Sequence, residues 1–123
     1  MIISSPKMSR MMSKFLKEYG GLYTLDDIIK GIYNGKFQSH VFGDSWVITQ
    51  VDQFPRDKVV HLTGIVGTID ELRPGFQELY KWSKEIGAIR ITGNGRDGWW
   101  GPAKNEPGWR RVGTMYEKDL TDG

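Results

Sequence analysis

The sequence predicts an α/β (α+β) domain, with one mainly antiparallel sheet of about five strands flanked by about three helices. Three observations point to this class. Residues 10–34 carry apolar side chains at helical spacing. In residues 36–66, apolar side chains recur with a period of two. In residues 74–86 they recur at helical spacing again, before a further short strand. A helix that connects two strands in this way is typical of an α/β sheet.

The composition limits the classes of protein and of site. A chain of 123 residues is long enough for one core, and we expect a single domain over residues 9–123 after an N-terminal arm of residues 1–8. With no cysteine there is no thiolate metal site, and two histidines are too few to indicate zinc, so we expect no metal. The N-terminal residues lack the apolar run of a secretion signal or a membrane span. A net charge of +2 argues against nucleic-acid binding.

Two helices are predicted in the first third of the chain. The first spans residues 10–19, with Ser9 as its cap. The second spans residues 24–34, where Thr24 and Asp27 have the spacing of a capping box. We expect the apolar stripes of both helices to pack in the core.

The alternating segment predicts three strands, over residues 37–42, 45–54 and 59–66. The last two are separated by a proline-containing turn and should pair as an antiparallel hairpin. Gly64 and Gly67 indicate a bulge or a close backbone approach near the end of the returning strand.

The third helix has two competing starts. Thr68 and Glu71 have capping-box spacing, but a start there would place Pro74 inside the helix, where proline removes a backbone hydrogen bond. We therefore expect the helix to span residues 74–86, with Pro74 as its first residue. A short strand over residues 88–92 should follow.

Glycine and tryptophan dominate the chain beyond residue 92. The segment 93–98 reads G-N-G-R-D-G and matches the glycine pattern of a dinucleotide-binding loop. That loop needs a helix directly after it to hold the pyrophosphate, and Trp-Trp-Gly-Pro follows here, so we interpret the segment as a turn-rich connection. Residues 108–120 alternate again and predict a final strand.

Candidate binding residues cluster in the same region: Arg96, Trp99, Trp100 and Arg110. Arginine and tryptophan are enriched among the residues that dominate protein interfaces, and they also stack on single-stranded nucleic acid. The alternative is packing of the rings against the sheet. Of the two adjacent tryptophans, we expect one ring to be buried and the other to lie at the surface beside Arg96 as an anchor.

Catalytic candidates are few. His61 lies on a predicted strand and faces opposite to Val60 and Leu62, and a strand histidine can act as a general base in acyl transfer. A histidine that is merely packed or solvated gives the same pattern. The sequence contains no nucleophile elbow and no serine–histidine–aspartate spacing.

The order of elements and several short motifs resemble small GNAT-like proteins of tailed bacteriophages and prophages, whose fold is that of the acyl-CoA N-acyltransferase superfamily. The motifs are LDDIIKGI at 25–32, FQ at 37–38, WVITQV at 46–51, YKWSKEIGA at 80–88, GNGRDGW at 93–99 and the closing GW at 108–109. The closing segment GWRRVG also resembles the end of GNAT-type N-acyltransferases.

The resemblance implies a non-catalytic phage protein that acts in virion structure or assembly, in the virion or in the host cytoplasm. Its partners would be phage structural or assembly proteins, or further copies of the chain. GNAT enzymes bind the coenzyme pyrophosphate with a loop, Arg/Gln-x-x-Gly-x-Gly/Ala, before their long helix. Here Gly64 and Gly67 are present, the basic residue is absent, and Asp70 and Glu71 would repel phosphates, so we expect no cofactor.

Two other functions stay open. One is an acyl-CoA-dependent N-acyltransferase with an unusual coenzyme loop and with His61 or Glu71 near the chemistry. Only under that interpretation is acetyl-CoA or another acyl-CoA expected. The other is a regulator that binds a host protein or nucleic acid through Arg96, Trp99 and Arg110.

Overall fold

The computed structural model describes residues 5–18, 21–94, 100–113 and 116–121, and the chain divides into two compact units, residues 1–93 and 94–123. The first unit contains, in chain order, α1 (Pro6–Glu18), α2 (Leu25–Tyr33), β1 (Phe37–Phe42), β2 (Ser45–Gln53), β3 (Lys58–Val66), α3 (Ile69–Glu85) and β4 (Arg90–Gly93). The described part of the second contains the short helix α4 (Trp100–Ala103). Within the described ranges, no helix is both long and apolar enough to cross a membrane.

The sheet has four strands in the order β1-β2-β3-β4. The first three form an antiparallel meander, and β4 joins β3 in parallel. The predicted α+β class, the antiparallel hairpin and the mainly antiparallel sheet are therefore confirmed. The predicted number of five strands is wrong, because the described residues of the segment 108–120 form no strand.

One face of the sheet is covered by α1 and α2, and the core lies between these helices and the strands. Its buried members are Met8, Met12, Leu16, Ile28, Phe37, Trp46, Ile48 and Val66. Met12 packs so closely on Gly64 that a Cβ on this glycine would lie 2.7 Å from Met12 Sδ. The close approach predicted at Gly64 is thus present inside β3, where α1 crosses the strand.

The opposite face of the sheet carries α3. This helix buries Leu72, Gly75, Leu79 and Ser83. Gly75 lies against the ring of Phe42, since a Cβ there would collide with the ring. The fold therefore has three layers in its first unit, with the sheet between α1/α2 and α3.

The first helix begins four residues earlier than the sequence predicted, at Pro6 rather than at Arg10. Ser5 caps it, because the Met8 N–H donates to Ser5 Oγ at 3.1 Å. Residues 6–8, expected in an N-terminal arm, therefore belong to α1, and Met8 is only 4% exposed. Proline is favoured at the first position of a helix because its missing N–H would have no partner there anyway.

The third helix also begins earlier than predicted, and Pro74 lies inside it. Thr68 caps the helix: its carbonyl accepts from the Leu72 N–H at 2.9 Å, and its hydroxyl accepts from the Glu71 N–H at 3.4 Å. The prediction of a start at Pro74 was wrong because it considered only the bond that proline removes. Contacts from Glu71 to a distant turn, described below, favour the earlier start.

The described part of the second unit consists of α4, a turn and a segment without regular secondary structure. The Glu106 N–H donates to the Ala103 carbonyl at 3.0 Å, which closes the helix into a turn, and Gly108 has a φ of 88°. Trp109 is half-buried, but residues 109–113 and 116–121 form neither strand nor helix. The prediction that Trp109 starts a final strand is therefore wrong.

Candidate functional site

The connection between β3 and α3 is the place where the resemblance implies a coenzyme loop, and it is very short. Only Gly67 and Thr68 separate Val66 from Ile69. Gly67 has a φ of 135°, a conformation that residues with a side chain rarely adopt. A Cβ at this position would lie 2.7 Å from Ser45 Cα, so the tight packing at the turn also requires glycine.

Glu71 turns its carboxylate back across this connection to the turn between β1 and β2. Its Oε2 accepts from the Asp44 N–H at 2.9 Å, and its Oε1 accepts from Ser45 Oγ at 2.8 Å. Ser45 Oγ in turn accepts from the Thr68 N–H at 3.1 Å. The fully buried Ser45 thus links the start of β2 to the cap of α3.

These bonds keep Glu71 ionised. The Asp44 N–H first, and then the Ser45 hydroxyl, hold the pKa of Glu71 below its ordinary value, with a smaller contribution from the charge of Lys7. A carboxylate in the first turn is favoured by the positive end of the helix dipole. The N-terminus of α3 therefore already carries its own anion.

This arrangement does not fit the pyrophosphate of an acyl-CoA held in the usual way. A pyrophosphate site needs backbone N–H groups that point at the ligand. Here the N–H groups of Thr68, Glu71 and Leu72 are already bonded within the cap. The charged Glu71, followed on the same helix by an exposed Glu78, would also repel a phosphate.

A second cluster of polar side chains surrounds His61. The ring Nδ1 lies 2.9 Å from Thr92 Oγ1 on β4, and Gln50 lies opposite His61 on β2. Gln50 Nε2 donates to Asp52 Oδ1 at 2.8 Å. The pairing register places His61, Thr92, Gln50 and Asp52 on the same face of the sheet as Phe37. All four polar side chains are half-buried.

The sequence identified His61 but not the residues around it. A histidine whose Nδ1–H donates to a neighbour can use Nε2 to accept a proton, and the Thr92 hydroxyl can serve either as that acceptor or as a donor. Glu71, the other catalytic candidate, belongs to the separate network at the β1–β2 turn. The structure therefore does not bring His61 and Glu71 together.

His40 lies on the opposite face of the sheet. Its Nε2 is 2.9 Å from Thr49 Oγ1, which donates to Gln38 Oε1 at 2.9 Å. The ring also meets the ring of Trp82 on α3, edge to face, with centroids 4.8 Å apart. Burial lowers the pKa of His40 to about 4, so this imidazole is neutral near pH 7.

The remaining predicted residues lie in the second unit. Arg96 and Trp99 fall outside the described residues, as does the side chain of Trp100, so the predicted anchor stays a prediction. Arg110 is described and exposed. Within the described ranges, no group of three or more histidine, aspartate or glutamate side chains could hold a metal ion.

Comparison with solved structures shows a likeness in fold to acetyltransferases. A probable acetyltransferase superposes with a TM-score of 0.69 over 98% of this chain and 97% of its own, at 11% identity. A possible acetyltransferase from Clostridium difficile 630 superposes with a TM-score of 0.58 over 94% of this chain and 90% of its own, at 14% identity. No protein-family profile matches the sequence, and no curated protein matches it.

These likenesses support the GNAT-like fold that the motifs implied. At such low identity they extend to the fold alone. Nothing in the comparisons indicates a phage origin.

Proposed function

We propose that this chain is a non-catalytic protein with the GNAT fold that acts through contacts with other proteins. The observation that carries the proposal is the Glu71 carboxylate in the first turn of α3, which accepts from the Asp44 N–H and Ser45 Oγ and places a negative charge at this terminus. A protein that held an acyl-CoA in the usual way would keep this terminus open for phosphate. The finer part of the proposal is a role in the structure or assembly of tailed-phage particles, in the virion or host cytoplasm, and it rests on the motif resemblance alone.

The described tail of the second unit supports a role in protein contacts. Val112, Tyr116 and Leu120 are 80%, 90% and 85% exposed. Three large apolar side chains exposed within one short segment are candidates for contact with a partner.

Titration calorimetry with acetyl-CoA tests the non-catalytic part of the proposal. We expect no saturable heat at ligand concentrations up to about 1 mM, which corresponds to a binding free energy weaker than about −4 kcal/mol. Desulfo-CoA, which keeps the phosphates but has no thiol, serves as a second ligand. Saturable binding in the micromolar range would contradict the proposal and would favour an enzyme.

The protein composition of phage particles tests the proposed role in the structure or assembly of tailed phages. The chain should be detected by mass spectrometry in purified particles or in assembly intermediates from infected cells. A variant with serine at Val112, Tyr116 and Leu120 should fold and be lost from these particles. The matched control is serine at Leu22 and Tyr33, which are 84% and 74% exposed in the first unit, and it should be retained. Absence of the wild-type chain from both samples would contradict the proposed role in phage particles.

An acyl-CoA-dependent N-acyltransferase with an unusual coenzyme site is the second candidate. It is favoured by the likeness to two structures described as acetyltransferases and by the His61–Thr92 contact on the sheet. Acetyl transfer from acetyl-CoA to a panel of amines, measured by mass spectrometry, tests it. Transfer should then fall by at least about a hundredfold in His61→Asn and hardly change in His40→Asn.

A further inference from the structure

The exposed face of α1 carries a cluster of positive charges. The helix contains four cations, Lys7, Arg10, Lys14 and Lys17, and its only acid is Glu18 at the end. All four cations are exposed. With about 100° of rotation per residue they fall within an arc of roughly 80°, along about 15 Å of the helix.

The charges of α1 follow the helix dipole only in part, because Lys17 lies in the last turn but Lys7 lies in the first. An acid in the first turn stabilises a helix and a base destabilises it, yet α1 has no acid there and has Lys7 as its second residue. The other helices follow the usual pattern. Asp26 pairs with Lys30 at 3.0 Å on α2, and Asp70 and Glu71 lie in the first turn of α3. The helix dipole therefore does not account for Arg10 and Lys14, which lie between the two ends of α1.

A shallow groove, wide open to solvent, runs along this basic face. It has a volume of about 530 Å³ and is lined by Ser9, Arg10, Ser13, Lys14, Lys17 and Leu25. Leu25 is the first residue of α2, so the groove lies between α1 and the start of α2. Lys14 approaches Glu18 at 3.9 Å, an exposed contact of the kind that contributes little. Arg10 and Lys17 form no ion pair within the described ranges.

We propose that this groove binds an acidic helical segment of a partner protein. Arg10, Lys14 and Lys17 have the spacing i, i+4, i+7, so they match carboxylates at the same spacing on a facing helix. Leu25 offers the contact for one apolar side chain of that segment. The proposal does not depend on whether the domain binds acyl-CoA, because the groove is formed by α1 and α2 and not by α3.

The groove is less suited to two other kinds of negatively charged partner, a membrane and a nucleic acid. Insertion into a membrane would require free apolar side chains, and those of α1 pack in the core, where Met8, Met12 and Leu16 are at most 6% exposed. Single-stranded nucleic acid binds by stacking on aromatic rings, and none lines the groove.

Binding of a designed peptide tests the proposal. The probe is a labelled helical peptide of about 14 residues with glutamate at i, i+4 and i+7 and one leucine, and its control has glutamine in place of glutamate. Fluorescence anisotropy is measured at about 50 mM and about 300 mM salt. We expect saturable binding of the glutamate peptide to the full chain at low salt, at least about tenfold weaker binding at high salt, and no binding of the glutamine peptide.

Two charge-reversal variants separate the groove from the net charge. Arg10→Glu/Lys17→Glu should weaken binding by at least about tenfold, whereas Arg56→Glu/Lys81→Glu should change it by less than about twofold. Both variants replace one arginine and one lysine at exposed positions, so they alter the net charge equally. Arg10→Gln/Lys17→Gln, with a check of the folded state by circular dichroism, should give an intermediate loss.

Several results would overturn the proposal. They are the absence of saturable binding by the wild-type chain, an equal loss in both reversal variants, and competition by a short single-stranded DNA that binds more tightly than the peptide. Self-association of the wild-type chain in sedimentation at low salt, lost in Arg10→Glu/Lys17→Glu, would instead assign the groove to a second copy.

Discussion

Ser45 and Glu71 join the start of β2 to the first turn of α3, since Ser45 Oγ donates a 2.8 Å hydrogen bond to Glu71 Oε1 across 26 positions of the sequence. The same Oγ accepts from the Thr68 N–H. One buried hydroxyl therefore acts as donor to a carboxylate and as acceptor for the helix cap. This pair therefore ties the N-terminus of α3 to the start of β2, in addition to the packing of the helix on the sheet.

Ser45→Ala should lower the free energy of unfolding by about 1–3 kcal/mol, because it leaves the Thr68 N–H and Glu71 Oε1 without their partner at this partly buried site. Urea unfolding followed by fluorescence measures the change. Ser13→Ala, at a half-buried position on α1, is the control and should stay within about 0.5 kcal/mol of wild type. Equal effects of the two substitutions would refute the role of Ser45.

Gly67→Ala should destabilise the fold more than Gly35→Ala does. Both glycines have positive φ, but a Cβ on Gly67 would collide with Ser45, whereas a Cβ on Gly35 would meet nothing within 4 Å. Gly35→Ala thus measures the conformational cost alone, about 1–2 kcal/mol. Thermal unfolding of both variants gives the comparison, and a smaller loss for Gly67→Ala would contradict the packing described here.

Glu71 should make the fold sensitive to acid. Its pKa in the folded chain is lowered by the bonds from Asp44 and Ser45, so the unfolded chain binds this proton more readily. The stabilisation is then fully present above the ordinary pKa of 4.5 and is lost as the pH falls through the lower folded value. Urea unfolding between neutral pH and acid should show a steeper loss below pH 4.5 in wild type than in Glu71→Gln. Parallel curves would rule out this contribution.

His40 should make the stability of the fold depend on pH in a higher range than Glu71 does. Burial lowers its pKa from 6.5 to about 4, so between these values the unfolded chain takes up a proton that the folded chain does not. Stability should therefore fall as the pH drops from 6.5 towards 4 and change no further from this cause below it. The imidazole resonances of His40 in NMR should titrate near pH 4, and His40→Gln should flatten the decline. A titration midpoint at or above 6.5 would disprove the burial argument.

The sequence predicted best those elements whose signals are local. β1 has the predicted bounds, Phe37–Phe42, because alternation there is enclosed by glycine turns. The capping box of α2 is also confirmed: Thr24 Oγ1 accepts from the Asp27 N–H, and Asp27 Oδ2 accepts from the Thr24 N–H. Each of these signals depends on neighbours within four residues.

Features that depend on distant contacts were not predictable in this way. The start of α3 is determined partly by Ser45 and Asp44, which lie more than 20 positions from Glu71. The neighbours of His61 depend on the register of three strands. In β3, Thr63 is an extra residue between the pairs Ile48–Gly64 and Thr49–Leu62, and it shifts that register. Two starts nevertheless had local signals: Ser5 followed by Pro6 for α1, and the capping-box spacing of Thr68 and Glu71 for α3.

The final strand was wrong for a different reason. Residues 108–120 alternate in character, but an alternating pattern describes only which side of a segment is apolar. A strand also needs a neighbouring edge to bond with, and glycines at 108 and 113 weaken the segment.

The connectivity of the sheet also bears on the order in which the protein folds. β1, β2 and β3 follow one another through short turns. β4 follows β3 only after the 17 residues of α3, and the residues that pair between these two strands, such as Val59 and Arg90, are far apart in the sequence. Closing a longer segment costs more chain entropy, and contacts between close neighbours form faster. We expect the meander to form in the folding transition state and β4 to join afterwards. In stopped-flow experiments Ile48→Val should then slow refolding, whereas Ile91→Ala should mainly speed unfolding.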